Sequence, residues 1–474
     1  MRVLLINTVA QSRVTAGDYH RFLSPMPPIT LAYLAAALEQ AGVTVAVHDE
    51  WKNQGDLGEL ERAIRRFRPH AVCLSVVTAI MPATERIARE IRERFPRIPI
   101  VMGNIHADLF FREILEAGLA DVVVHGEGEE TIVELMEELS RPSPDLSRIQ
   151  GISFVDDGVV QSTEQRPFVL DLDTLPFPAW HLFPMERYRI FNFARVREPG
   201  LLILGSRGCP FGCTYCSLKI MGQTRRRRSA ANIVDEIEYI HDRFGVVQPS
   251  FTDPIFPFSK REGNAFAEEI LRRGLEKRII WITETRVDLV DGEMLRTLAA
   301  SGLKRIMFGF ETGDSDALDA IKKGHGLDAG REAVRAAHDA GVEVIGFFML
   351  GIPGSTTLNL QATIDYAVSL DIDFAKFTVF VPFPGTVVHD ELLQQGKLDD
   401  PSDWRRYTSY PTRTQPPIYV PDDCTVEDII RYQRKAYRQF YLRPHMILHQ
   451  LFKVRTLSPR DMVDGLRVVT RFRS

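Results

Sequence analysis

Three cysteines within eight residues are the part of this chain whose spacing most directly predicts chemistry. Cys209, Cys213 and Cys216 follow the pattern Cys-x3-Cys-x2-Cys in a loop rich in Gly and Pro. A structural zinc site needs four ligands, and the next candidate, His241, lies 25 residues further on in a predicted helix. Three thiolates on a [4Fe–4S] cluster leave one iron open to a substrate. The spacing therefore favours a catalytic iron–sulfur cluster over zinc.

The elements that must carry this loop follow from hydrophobic patterning. Short β-branched runs alternate with helical patterns, which predicts parallel strands joined by crossover helices. Residues 1–142 are interpreted as an α/β domain with a doubly wound, Rossmann-like parallel sheet. Residues 200–400 predict a partial (β/α)6 barrel of TIM type, with its active site at the carboxyl ends of the strands. The predicted strands are Val3–Asn7, Val43–Asp49, Ala71–Val77, Pro99–Gly103 and Asp121–His125 in the sheet, and Leu201–Gly205, Pro249–Thr252, Ile279–Thr283, Arg305–Phe310, Glu343–Leu350 and Phe374–Phe380 in the barrel.

Two further segments complete the predicted organisation. Residues 143–199 form a connector rich in Pro and charge, with a hairpin predicted at the Asp157-Gly158 turn. Residues 401–474 form a helical, basic C-terminal region. From Arg431 to the end the chain carries 11 Lys and Arg against 2 Asp, whereas the rest has a net charge of −14. This basic tail fits an anionic substrate, a membrane surface, nucleic acid or a solvated helical face.

The composition excludes several classes of protein. The 474 residues are 45% hydrophobic and 26% charged, which is ordinary for globular proteins and excludes a disordered, collagen-like or coiled-coil chain. Five cysteines do not make a disulfide framework, and the isolated Cys73 and Cys424 are interpreted as small buried hydrophobes. We find neither an apolar run of about 18 residues nor a signal peptide, so we expect a cytoplasmic protein.

Three turns follow consecutive strands of the first sheet and should lie at one edge of it. These turns are Ser75–Thr78, Gly103–Ala107 and Gly126–Glu129. Ligands of such sheets bind beyond the carboxyl ends of the strands, and glycine lets the backbone approach a ligand closely. Ordinary βα turns are the alternative interpretation. A dinucleotide site is disfavoured because no GxGxxG follows the first strand.

The cysteine loop resembles that of the radical S-adenosylmethionine (SAM) enzymes, in which an aromatic residue, here Tyr215, precedes the third cysteine. The resemblance continues through Phe251–Phe256, Thr285–Asp288, Gly309–Gly313, Gly346–Pro353 and Pro382–Thr386, with Pro254 in place of a second acid and Thr312 in place of Ser. It implies that SAM chelates the open iron and is cleaved to a 5′-deoxyadenosyl radical. The SAM contacts it implies are Tyr215, Asp253, Arg286, Glu311, Thr312 and Gly351.

The first domain resembles the cobalamin-binding domain of one radical SAM class, through Gly103–Ala107 and Gly126–Glu129. The cobalamin contacts implied are Ser75, Thr78, Gly103, His106, Gly126, Glu127 and Gly128. The Asp-x-His-x-x-Gly pattern that supplies a cobalt ligand elsewhere is absent, so we expect base-off cobalamin without a histidine ligand. His106 is then a contact at the corrin edge or phosphate, or a turn residue, and cobalt ligation is the alternative.

The resemblance implies a cobalamin-dependent radical SAM enzyme, and C-methylation through methylcobalamin is the favoured reaction. The alternative is an oxidative cyclisation or rearrangement without methyl transfer, as in the anaerobic magnesium-protoporphyrin monomethyl ester cyclase. A non-enzymatic cobalamin or iron–sulfur sensor is a remote third. The expected partners are a small-molecule substrate, such as a lipid or tetrapyrrole, and a flavodoxin or ferredoxin reductant, with no nucleic acid. The arginines at 225–228 fit a solvated loop or a site for an anionic substrate or an acidic electron donor.

Overall fold

The computed structural model describes residues 1–9, 26–53, 56–188, 190 and 194–452. Its strands form two large sheets and one short ribbon. In chain order they are β1 (Arg2–Asn7), β2 (Thr44–Asp49), β3 (Ala71–Ser75), β4 (Ile100–Gly103), β5 (Val122–Val124), β6 (Ile152–Asp156), β7 (Val159–Ser162), β8 (Gly200–Ile203), β9 (Ser206–Arg207), β10 (Arg226–Arg227), β11 (Gln248–Phe251), β12 (Trp281–Thr285), β13 (Leu303–Glu311), β14 (Glu343–Leu350) and β15 (Phe374–Val379).

The helices cross over between the strands, as the alternating pattern predicts. In chain order they are α1 (Ile29–Gln40), α2 (Glu50–Asn53), α3 (Leu57–Phe67), α4 (Met81–Arg94), α5 (Ile105–Leu109), α6 (Phe111–Glu116), α7 (Glu129–Leu139), α8 (Ala230–Phe244), α9 (Lys260–Arg272), α10 (Gly292–Ala300), α11 (Ser315–Ala320), α12 (Leu327–Asp339), α13 (Thr357–Ser369), α14 (Val387–Gln394), α15 (Val426–Tyr441) and α16 (Pro444–Phe452). None in the described part of the chain combines the length and apolarity that crossing a bilayer demands.

The first sheet has the strand order β2-β1-β3-β4-β5-β6-β7. Its first five strands are parallel, which confirms the doubly wound sheet. The last two are the hairpin at Asp157-Gly158, which pairs antiparallel with β5. The sheet therefore continues into the stretch that the sequence pattern treats as a connector, because the β5 edge offers backbone groups that the hairpin satisfies.

The second sheet is an open six-stranded array of order β15-β14-β13-β12-β11-β8, with every neighbouring pair parallel. It confirms the partial (β/α)6 barrel. Apolar side chains of four strands and of the segment that precedes β8 fill the amino-terminal end of its lumen. They are Ile190, Ala194, Ile282, Met307, Ile345 and Phe374. The lumen is thus plugged at one end, and its chemistry must take place toward the carboxyl ends of the strands.

Helix α15 covers the outer edge of the second sheet. The Tyr441 hydroxyl accepts from the Ala375 N–H at 3.0 Å and donates to the Ala375 carbonyl at 2.8 Å. One turn earlier, Tyr437 accepts from the Phe377 N–H, and Gln433 donates to the Phe377 carbonyl. An uncovered edge strand would present these backbone groups to another chain. The side chains of α15 make the hydrogen bonds that a seventh strand would otherwise make with β15. Helix formation after residue 401 is as expected, whereas the second half of the basic tail, residues 453–474, lies outside the described residues.

Candidate functional site

The cysteine loop is closed by the antiparallel ribbon of β9 and β10, in which Arg207 pairs with Arg226. The loop leaves this ribbon at Gly208, whose φ is +82° and whose position has no room for a side chain, since a Cβ would stand 2.4 Å from the Thr224 carbonyl oxygen. The Cys209 N–H then donates to the Gly222 carbonyl at 3.2 Å. The ribbon therefore fixes both ends of the cysteine loop.

The environment of the three thiols fits an iron–sulfur cluster. Burial raises the pKa of the Cys216 thiol to about 11, and the other two cysteines are close enough to raise it as well. No three His, Cys, Asp or Glu side chains of the described residues converge as ligands of one ion. In a cluster each cysteine binds a separate iron, so three thiols that are close enough to affect one another's ionisation fit such a cluster.

Two basic side chains face these thiols. Arg286 Nη1 lies 4.0 Å from the Cys213 sulfur, and its guanidinium stacks on the Phe211 ring at 3.8 Å. Burial raises the pKa of Cys213, while the charges of Lys323 and Arg286 act to lower it. A thiolate-bound cluster would bring negative charge into the protein, and these two cations would offset it. Arg286 is held in place by a two-bond ion pair with Asp288 at 2.9 Å.

Tyr215 and Glu311, two of the predicted SAM contacts, lie together. The Tyr215 hydroxyl donates to Glu311 Oε1 at 2.8 Å, and Lys323 Nζ lies 2.5 Å from the same oxygen. Glu311 adopts a φ of +66° at an irregularity in the β13–β14 register, an uncommon conformation for a residue with a side chain. Gly309 makes this possible, since a Cβ there would stand 2.4 Å from Glu311 Oε1. The bulge aims the carboxylate at the cysteine loop.

The other predicted SAM contacts serve internal contacts in this structure. Asp253 accepts from the Gly205 N–H and the Ser206 hydroxyl at the start of the cysteine ribbon, and burial raises its pKa to about 6. The Thr312 hydroxyl forms a hydrogen bond with the Thr363 hydroxyl and accepts another from the Asp314 N–H. Gly351, with a φ of +85°, leaves room for Ile429 of α15. Their roles in SAM binding stay predictions.

Three charged residues of the barrel were missed by the sequence analysis. Lys323 follows α11, a helix that the pattern did not predict. Glu284 on β12 and Lys376 on β15 face the lumen just above its apolar plug, where their charges act on each other. Burial raises the pKa of Glu284 to about 7 and lowers the pKa of Lys376. The periodic signal of a strand shows which positions face inward but not whether the interior there is packed or open.

In the first sheet, the predicted cobalamin contacts after β3 and β4 lie together at one edge. The Ser75 hydroxyl accepts from Asn104 Nδ2 at 2.9 Å, and the His106 N–H donates to the Val76 carbonyl. Gly103 ends β4, and Asn104 takes a φ of +78° to begin α5. The two turns therefore present one continuous surface at the carboxyl edge of the sheet.

His106 is buried within this surface. Its Nδ1 lies 3.2 Å from the Thr78 hydroxyl, and its ring lies 4.7 Å from the rings of both Phe110 and Trp404. Burial lowers the pKa of His106 to about 4, so the ring is neutral at physiological pH. Trp404 comes from the segment after the barrel, so this segment packs against the turns that carry the predicted cobalamin contacts. The enclosed ring favours the interpretation of His106 as a packing and turn residue.

The third turn of the sheet meets the cysteine ribbon instead. Arg207 Nη1 donates to Glu127 Oε1 at 3.1 Å, and Arg226 Nη1 donates to Glu127 Oε2 at 2.7 Å. Arg207 also donates to Glu129 at 2.5 Å. Gly128 allows close packing of α1, because a Cβ there would stand 3.1 Å from Leu34. These contacts join the carboxyl edges of the two sheets.

The arginine run is mostly internal. Arg225 pairs with Glu262, Arg226 with Glu127 and Arg228 with Glu236. In this run only Arg227 is exposed. The interpretation of the run as a solvated loop is therefore wrong, because three of the four guanidinium groups pair with carboxylates of the chain itself. A role toward an anionic substrate or an acidic electron donor stays a prediction.

Two family models match the two halves of the chain. Residues 203–367 match the Radical SAM superfamily, and residues 20–136 match the B12 binding domain. The first match covers most of the barrel, with all three cysteines of the loop. The second covers most of the parallel sheet and its turns.

Full-length similarities agree with these matches. A protein of Pyrococcus horikoshii named as an uncharacterized methyltransferase is 30% identical over 443 residues, which cover 93% of each chain. An anaerobic magnesium-protoporphyrin IX monomethyl ester cyclase of Cereibacter sphaeroides is 29% identical over 88% of this chain and 67% of its own. The fold matches that of the radical SAM methyltransferase TsrM from Kitasatospora setae, which was solved with cobalamin and a [4Fe–4S] cluster. The TM-score is 0.71, the match covers 97% of this chain and 91% of that chain, and the sequence identity is 19%. The chain belongs to the radical SAM enzymes that carry a B12-binding domain.

Proposed function

We propose that this enzyme is a cobalamin-dependent radical SAM methyltransferase that methylates a carbon atom of a small molecule. The observation that carries the proposal is the meeting of the two carboxyl edges, in which Glu127 of the first sheet contacts Arg207 beside the cysteine loop. Ligands bind at these edges in both kinds of sheet. A methyl carrier on one edge and a hydrogen-abstracting centre on the other would thus share one substrate.

The chain's own residues suit the cofactors of the family, namely a [4Fe–4S] cluster, SAM and cobalamin. Cys209, Cys213 and Cys216 would hold the cluster, with Arg286 and Lys323 offsetting its negative charge. When bound, these groups supply one-electron cleavage of SAM, hydrogen abstraction and a methyl carrier, which no amino-acid side chain provides. The protein binds and orients them and limits the access of water.

Glu311, Tyr215 and Lys323 would bind the polar groups of SAM. Glu311 can accept from an ammonium or a ribose hydroxyl, and Lys323 can donate to a carboxylate. The three side chains already form one hydrogen-bonded group, which favours a preorganised site. Ser75, Thr78, Gly103 and His106 would line the cobalamin surface, with His106 supporting it from below rather than reaching cobalt.

The substrate is proposed to enter the barrel lumen. Phe347 and Met349 give the partly accessible lumen an apolar wall, whereas Glu284 and Lys376 give it two charges. A substrate that combines an apolar carbon frame with polar groups fits this lining better than a pure hydrocarbon. Phe374 belongs to the apolar plug of the lumen, whereas the deeply buried Phe377 and Phe380 pack in the core outside it. A flavodoxin or ferredoxin would reduce the cluster, and membrane contact through residues 453–474 stays a prediction.

Radical cyclisation without methyl transfer is the second candidate function. It is favoured by the 29% identity with the anaerobic magnesium-protoporphyrin IX monomethyl ester cyclase. Both candidates use the same cofactors at the same pair of edges, and methyl transfer is favoured by the 30% identity with the Pyrococcus horikoshii protein named as a methyltransferase, over 93% of each chain.

Product analysis with methyl-labelled SAM separates the two. The anaerobically loaded enzyme is incubated with a reductant and candidate metabolites, including tetrapyrrole esters. Methyl transfer predicts label in the product and both 5′-deoxyadenosine and S-adenosylhomocysteine, whereas cyclisation predicts 5′-deoxyadenosine alone. A Cys213→Ala variant is the control, because it should lose the cluster and with it all SAM cleavage. Labelled product from this variant would contradict the assignment.

A further inference from the structure

We propose that Glu127 is a positioning residue that holds the cysteine loop against the cobalamin domain. The Glu127 carboxylate, together with Arg207, Arg226 and Glu129, forms a group that we call the edge clamp. The proposal goes beyond the reaction type, since both methyl transfer and cyclisation need the two cofactors at a fixed separation. It also gives Glu127 a role other than that of a cobalamin contact.

The hydrogen bonds of Glu127 are already committed within the protein. Oε1 accepts from Arg207 at 3.1 Å, and Oε2 accepts from Arg226 at 2.7 Å and from the Val169 N–H at 2.8 Å. Burial would raise the pKa of Glu127, but the hydrogen bond from Arg226 and the charge of Arg207 hold it below its usual value. The carboxylate is therefore charged and directed at the ribbon.

The ribbon transmits this contact to the cysteines. Arg207 stands two residues before Cys209 in the chain, and Arg226 pairs with Arg207 across the ribbon. Between Arg207 and Cys209, Gly208 turns into the loop at a position with no space for a side chain. We therefore expect a shift of Glu127 against the ribbon to reach Cys209, the first of the three cysteines.

The edge clamp is buried and electrically balanced. Glu127, Glu129 and Arg226 are each less than a tenth exposed. Two arginines meet two glutamates, and each arginine also lies over an aromatic ring, Arg207 over Tyr33 and Arg226 over Phe168. Removing one partner of such a group leaves an uncompensated buried charge, which is more disruptive than removing both partners.

This balance predicts a distinctive pattern of variants. Glu127→Gln leaves the group with one positive charge in excess, and Arg226→Met leaves it with one negative charge in excess. The double variant keeps only the Arg207–Glu129 pair and is neutral again. The two single variants should therefore loosen the cysteine loop, and the double variant should restore part of its order.

The test measures the cluster and the corrin separately in the anaerobically loaded full chain. Cluster order is followed by the rate at which a ferrous chelator removes iron and by the electron paramagnetic resonance spectrum of the reduced protein. Corrin affinity is followed by visible titration with hydroxocobalamin. The variants are Glu127→Gln, Arg226→Met, the double variant and Glu137→Gln, an exposed glutamate of α7 that controls for the loss of one negative charge.

We expect iron loss about tenfold faster in each single variant, with a broadened resonance spectrum, and corrin affinity within about twofold of the parent. The double variant should lose iron more slowly than either single variant, and Glu137→Gln should match the parent. Weakened corrin binding with unchanged iron loss in Glu127→Gln would overturn the proposal in favour of a cobalamin contact. If the single variants fail to fold, recovery of loaded protein in the double variant supports the proposal, and its failure overturns it. Absence of methyl transfer by the parent enzyme would refute the proposed function alone.

Discussion

Replacing Glu284 by Gln should make the barrel more stable at alkaline pH and leave its stability unchanged in acid. Glu284 lies in the lumen, where burial and then the nearby charge of Glu311 raise its pKa from 4.5 to about 7, against the opposing charges of Lys323 and Lys376. Glutamine keeps the shape of the side chain but carries no charge. The variant therefore isolates the free energy of ionising this carboxyl in the lumen.

The sign and size of the effect follow from linkage. A carboxyl whose pKa is higher in the folded protein contributes stability below pH 4.5, and this contribution is lost as the pH rises through about 7. The separation of the two pKa values corresponds to about 3 kcal/mol of unfolding free energy. Because the side chain is partly accessible, we expect about 2 kcal/mol in practice. The parent should lose this amount between acid and alkaline pH, and Glu284→Gln should not.

The assay is urea unfolding of the anaerobic, cofactor-loaded enzyme at several pH values between about 4 and 8, a range that spans the folded and unfolded pKa values of this carboxyl. Other titrating groups are common to parent and variant and cancel in the comparison. Glu332→Gln, at an exposed position on α12, is the matched control and should follow the parent at every pH. An equal offset between parent and Glu284→Gln at acid and alkaline pH would refute the reasoning. It would mean that Lys376 compensates the carboxylate fully.

Two other substitutions test the geometry of the barrel. Gly309→Ala should weaken SAM binding by about tenfold or more while the cluster still assembles, because its Cβ would displace Glu311 and Lys323. Equilibrium dialysis measures the affinity for SAM, and an unchanged affinity would argue against Glu311, Tyr215 and Lys323 as a SAM site. Tyr441→Phe should lower the unfolding free energy by about 2 kcal/mol, because the Ala375 N–H and carbonyl each lose a hydrogen-bond partner at the sheet edge. Urea unfolding measures this free energy, and an unchanged value would mean that water replaces the hydroxyl.

The two sheets could be predicted from the sequence because their signals are local. Runs such as that of β14, Glu343–Leu350, are apolar and β-branched and are bounded by helical patterns, so strand type and parallel order follow directly. The helix α11 was missed because its six residues carry less than two turns of periodic signal. The pairing of the hairpin with β5 was missed because a strand pattern does not say which sheet edge it joins.

The cysteine loop could be located for the same reason, since three cysteines within eight residues need no knowledge of the fold, and their role as cluster ligands stays a prediction. Lys323 and Lys376 could not, because they approach the site from a loop and from a strand far along the chain. Asp253 shows a further limit. Its position after a strand matches a SAM contact in the family pattern, whereas its two hydrogen bonds go to the start of the cysteine ribbon. Sequence patterns locate such a residue but not the direction of its side chain.

The arginine run shows how charge in the sequence can serve position rather than recognition. Arg225, Arg226 and Arg228 pair with acids from three different elements, namely α9, the turn after β5, and α8. An apolar contact between two domains tolerates sliding, whereas paired guanidinium and carboxylate groups fix direction and distance together. A loop that carries a redox cluster beside a second cofactor needs both to be fixed. Buried ion pairs at the two ends of the cysteine loop fix both the direction and the distance of the loop, although their net contribution to stability is small.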